Sequence, residues 1–166
     1  MNVENNERNN ERVGIILGVF IIVIVIIATT AGCGFYNVLN ADDFQKEWGA
    51  IGYTVTSDVE SEYKDYKITK YMEASKDDVP FTISFYELDD EKEAQKLYKT
   101  YKDNLANYLT TSSKNKETTG AVFAKTVAVS DNEYIVISRV KNTIIFIPGL
   151  KDFKTTINDM LDHVQY

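Results

Sequence analysis

Few residues in this chain are of a type that does covalent or acid–base chemistry, and their positions narrow the choice further. There is one cysteine, Cys33, and one histidine, His163. No intramolecular disulfide and no Cys/His zinc cluster can be assembled from that pair. His163 falls in the last turn of an expected C-terminal helix, where a cation favours the helix dipole. Nucleophilic catalysis by Cys33 is excluded by its place at the end of an apolar segment. No G-x-S-x-G, H-E-x-x-H, Walker A or dinucleotide fingerprint occurs. The carboxylates of Asp89-Asp90-Glu91 lack calcium-loop spacing and suit the start of a helix. No catalytic residue, metal site or cofactor is therefore expected.

Arg139 is the exception. Fifteen of the sixteen basic residues after the apolar segment are lysines, and Arg139 is the sole arginine among them. It lies on an otherwise apolar strand, in register with Ile135 and Ile137. A guanidinium cannot shed its charge, so it must pair with an acid or bind an anionic group. A pocket with Arg139 beside two carboxylates would indicate an enzyme, whereas a tyrosine-rich face would indicate binding. Tyr71 and Tyr86 are the tyrosines expected to face outward from strands and line such a face.

The elements that must position these residues begin after a membrane signal. Residues 1–12 form a short polar tail with Arg8 and Arg12. Val13 to Gly32 carries no charge and, as a helix, rises about 30 Å, the thickness of a hydrocarbon core. Phe35 and Tyr36 sit at the expected interfacial belt. The nearest cation beyond is Lys46, so the positive-inside rule puts the tail in the cytoplasm and the larger part outside. Residues 13–34 also admit a second reading. Thr30-Ala31-Gly32-Cys33 resembles a lipobox, in which Cys33 is lipidated and becomes the mature amino terminus; Thr30 departs from that pattern. Gly14, Gly18, Ala28 and Gly32 share one helical face at small-xxx-small spacing, through which a homodimer can form.

Residues 35–41 are expected to be a stem and 42–166 an extracytoplasmic domain. Of the 18 basic and 25 acidic residues, 16 and 22 follow the apolar run, a net charge of −6 for that portion. Such a surface repels phosphate backbones, so nucleic acid is not an expected partner, while basic peptides, cations or cationic wall polymers are compatible. Phe44, Trp48 and Ile51 recur at helical spacing. Strands are expected at Tyr53 to Thr56, Tyr66 to Ala74 and Val79 to Leu88. In the last of these Val79, Phe81, Ile83 and Phe85 alternate with residues expected to be wet. A helix over Asp90 to Leu109 carries Ala94, Leu97, Tyr98, Tyr101, Leu105 and Tyr108 on one face. Thr110 to Gly120 reads as an exposed loop, and Ala121 to Ile147 as a three-strand meander ended by Pro148-Gly149. A final helix, Lys151 to Val164, buries Phe153, Ile157, Met160, Leu161 and Val164. The expectation is an α+β domain, an antiparallel sheet of about five strands with helices on one face.

The anchor, Phe44 to Tyr53, the Val79 to Leu88 strand leading into the long helix, and Arg139 to Ile147 with its Asn142-Thr143 resemble the small membrane-anchored or lipoprotein domains of unknown function of Gram-positive bacteria. That resemblance implies a surface-tethered, non-catalytic binding or accessory domain with a protein or wall-polymer partner, and transfers no catalytic residues. The competing expectations are an envelope enzyme working through carboxylates and Arg139, and a sensor or regulator acting through a membrane partner.

Overall fold

A computed structural model describes residues 36–57 and 61–166. The expected membrane or signal segment, with Gly14, Gly18, Ala28, Gly32 and Cys33, lies outside the described residues. Among the described residues no helix is long and apolar enough to cross a membrane.

The compact unit begins at Tyr36. The stretch read as a stem is in fact packed on it. Leu39 is buried, the Asn37 N–H donates to the Gln165 carbonyl at 2.7 Å, and Tyr36 stacks on Phe123 at 3.9 Å between ring centroids. Helix α1 (Ala41–Ala50) follows, its first turn capped by Asn40, whose side chain accepts from the Asp43 N–H at 2.8 Å. Strands β1 (Thr54–Thr56), β2 (Ile68–Lys76) and β3 (Val79–Leu88) precede helix α2 (Glu91–Asp103) and a 3-10 turn (Leu105–Tyr108). Strands β4 (Lys114–Thr119), β5 (Phe123–Val129), β6 (Glu133–Val140) and β7 (Thr143–Leu150) lead to a short 3-10 turn and helix α3 (Lys154–His163).

The fold is α+β, with one antiparallel sheet in the order β1-β2-β3-β7-β6-β5-β4. It has seven strands rather than about five. The additional edge strand is β4, in the segment read as a loop. All six of its residues are exposed, so no burial pattern marks it, and its two lysines suit an unpaired sheet edge.

The helices lie on both faces rather than one. Odd-numbered Phe81, Ile83 and Phe85 of β3 join a core with Phe44 and Trp48 of α1 and Ile157 and Leu161 of α3. Even-numbered Tyr86 and Leu88 join a second core with Ala94, Leu97 and Tyr101 of α2. Successive strand residues point to opposite faces, so the two cores sandwich the sheet. Tyr134–Val140 is buried without interruption, as a strand covered on both faces must be.

Pro148 and Gly149 do not end the sheet; they continue β7, paired with Ile135 and Tyr134 of β6. The β3–β7 ladder stops at Ser84 and Phe146, so Pro148 occupies a strand margin where no second ladder needs its missing N–H. At Gly149 an added Cβ would meet Ile157 Cδ1 at 2.2 Å, so this glycine lets α3 approach the sheet closely.

Candidate tyrosine-lined cleft

Helix α2 covers only part of its face. Asp90 fixes its start by accepting from the Glu93 N–H at 2.8 Å, and it ends at Asp103 with Asn104 as its cap, short of the expected Leu109. Over β2 and β3 the same face is left open, and there the chain forms a cleft of about 310 Å³.

Its floor is built by strand register. Tyr71 of β2 lies directly opposite Tyr86 of β3, and Glu73 opposite Ser84. The Tyr71 and Tyr86 rings stack at 4.7 Å. Tyr101 from α2, Tyr108 from the 3-10 turn and Phe146 from β7 form the opposing wall. Tyr101 stacks on Phe146 at 4.4 Å, and Tyr108 meets Phe146 edge-on at 4.9 Å. Glu62, from the segment before β2, stands at the exposed rim.

The hydroxyls bond largely to one another. Tyr86 and Tyr101 share a buried hydrogen bond of 2.7 Å. Tyr71 donates to Glu73 Oε1 at 2.5 Å. Tyr63, behind this layer, approaches the Tyr108 hydroxyl at 3.4 Å. Burial pushes the Tyr71 phenol up to about 12, reinforced by its bond to Glu73, and raises Tyr86 and Tyr101 further. All three therefore remain neutral phenols at physiological pH.

The two tyrosines expected to line a binding face are thus brought together, with one correction. Tyr86 is 2 % exposed, not an outward-facing surface residue, because α2 and Tyr71 cover it. The expected alternation of β3 holds at Pro80, Thr82 and Ser84, which are exposed or half-buried, and breaks only at Tyr86. Arg139 is elsewhere. It is buried on β6, an interior strand, and Nη1 donates to Glu91 Oε1 at 3.0 Å and to the Lys141 carbonyl at 3.1 Å. His163 lies 3.7 Å from Glu47 Oε2, on the opposite side of the sheet from the cleft.

Glu73, Tyr101, Tyr108 and Phe146 were not singled out by sequence. The helical spacing of Tyr101 and Tyr108 does mark them as facing the sheet, but not that the sheet beneath them is partly uncovered. Among the described residues there is no group of three or more His, Cys, Asp or Glu side chains placed to hold a metal ion.

Comparisons with protein-family models, with curated proteins and with solved structures returned no match.

Proposed function

We propose that this chain is a membrane-tethered extracytoplasmic protein, a non-catalytic binding or accessory domain of the cell envelope, with the tyrosine-lined cleft as its binding surface. The observation that carries the binding reading is the cleft itself. It is a concave, aromatic-walled opening whose hydroxyls are already paired, so it offers contact area and little reactivity. Arg139, which an envelope enzyme would need free, is bonded to Glu91 and stands outside the cleft lining. The tether rests on the uncharged run Val13 to Gly32 and on Arg8 and Arg12 before it.

Two measurements test this reading. Intact-mass analysis of the chain from native membranes distinguishes a spanning helix, with the chain beginning at Met1, from a lipidated Cys33; a soluble, unmodified chain in the cytosol overturns the tether. For the cleft, the full chain in detergent is sedimented with isolated cell-wall and membrane fractions of its host. Tyr108→Ala is expected to reduce co-sedimentation while Lys46→Ala, on the far side of the sheet, leaves it unchanged. Equal retention of both variants overturns the assignment of the cleft.

A further inference from the structure

Resting on that reading of the cleft, we infer that its ligand is an organic ammonium ion, presented by a small molecule or by an amine on a polymer or peptide. The lining holds the part-exposed rings of Tyr71 and Tyr108, the buried rings of Tyr86, Tyr101 and Phe146 beneath them, and the Ser84 hydroxyl. Its charged members are Glu62 and Glu73, and the lining contains no lysine, arginine or histidine. Of the lysines near these residues in sequence, Lys64 and Lys70 line a separate groove that shares Tyr71, and Lys102 is paired with Glu117. Rings present a negative face, and an ammonium group against the part-exposed Tyr71 and Tyr108 rings is attracted by their quadrupoles, the more so where water is excluded. Glu73 adds a formal charge at the floor, held in place by the bond from Tyr71.

The same observations disfavour other occupants. A hard metal ion takes six or more oxygen ligands, and among the described residues no group of three or more acidic, histidine or cysteine side chains is placed to hold one. An anion would meet two like charges and no cation. A neutral sugar would leave the Glu62 and Glu73 carboxylates without a counter-charge, and the Tyr71, Tyr86 and Tyr101 hydroxyls are already engaged. A volume of about 310 Å³ admits a methylated or primary ammonium head with part of its chain.

The test titrates the full chain, in detergent micelles, with four probes while the tyrosine ring signals are followed by NMR. The probes are tetramethylammonium, choline, an acetylated lysine amide, and 3,3-dimethylbutanol as the neutral isostere of choline, all at constant ionic strength. Saturable shifts of the Tyr71 and Tyr108 rings are expected with the ammonium probes and not with the isostere. Binding of choline without the lysine amide points to a small-molecule source, and the reverse to an amine on a peptide or polymer. Glu73→Gln, which keeps the shape of the cleft, is expected to weaken binding about 2- to 5-fold, the range of one solvent-accessible ion pair. Equal binding of the isostere, or no loss in Glu73→Gln, overturns the inference. If no ammonium probe binds while Tyr108→Ala still abolishes co-sedimentation, the cation assignment fails and the binding cleft stands. If both fail, both readings fall.

Discussion

Arg139 Nη1 lies 3.0 Å from Glu91 Oε1, joining the middle of the sheet to the first turn of α2. The two partners are unequally solvated, with side-chain exposures of 6 % for Arg139 and 40 % for Glu91. Removing the acid leaves a buried guanidinium held by the Lys141 carbonyl.

Glu91→Ala is therefore expected to destabilise the fold by about 2 kcal/mol, below the loss typical of a fully buried pair because water reaches Glu91. Arg139→Met removes the charge and keeps the length of the side chain beside Ile135 and Ile137. It is expected to cost less than Glu91→Ala. Urea unfolding of the two variants decides this; a neutral Glu91→Ala would show that the pair adds nothing.

Tyr86 and Tyr101 form a second coupled pair, through a buried bond of 2.7 Å. Either tyrosine replaced by phenylalanine leaves the other hydroxyl buried and short of a partner, at a cost of about 1–2 kcal/mol. The double Phe variant is expected to be closer to wild type than the sum of the singles predicts. A double-mutant cycle measured by thermal or urea unfolding checks it, and strict additivity would refute the coupling.

The tyrosines also set an alkaline limit. Burial raises Tyr71 and Tyr98 to about 12, and raises Tyr63, Tyr86, Tyr101 and Tyr166 beyond that. Folded values above the unfolded one mean that the native state favours the protonated phenol. The stability they contribute is fully present below about pH 10, the unfolded value, and is lost as pH rises from there through the folded values. Tyrosinate absorbance of the native chain at about pH 11 should fall well short of that of the chain in denaturant, with unfolding and full ionisation arriving together at higher pH. Ionisation complete before the fold is lost would contradict this.

Gly149 is a point of close approach between the sheet and Ile157 of α3. A methyl group there would meet Ile157 Cδ1 at 2.2 Å and the Tyr134 carbonyl at 3.0 Å. Gly149→Ala is expected to cost about 1–3 kcal/mol through overpacking. Ile157→Val in the same chain, by shortening the clashing side chain, should recover part of that loss. Calorimetric melting of the single and double variants is the check, and a Gly149→Ala chain as stable as wild type would place the helix farther from the sheet.

Much of the fold was legible in local pattern. The alternation of Phe81, Ile83 and Phe85 located β3, and the spacing of Leu97, Tyr98 and Tyr101 located α2 and the face it buries. The unbroken apolar runs 134–137 and 144–147 also carried the sign of a sheet covered on both sides, because a strand exposed on one face would alternate. Strand β4 could not be read, since its residues bury nothing and its place in the sheet comes from pairing with β5. The reach of β7 through Pro148-Gly149 was equally hidden, because it depends on where the neighbouring ladder stops and on the closeness of Ile157.

The sequence by itself determined the α+β class and the requirement that Arg139 find a partner, because residue types and periodicity are local properties. Only the tertiary structure decided that the partner is Glu91, 48 residues away along the chain. It alone could bring Tyr71, Tyr86, Tyr101, Tyr108 and Phe146 to one cleft, because strand register and the early end of α2 set which side chains meet and which part of the sheet stays uncovered. Tyr71 and Tyr86 were visible as a pair of tyrosines; that one would be buried beneath the other was a matter of packing.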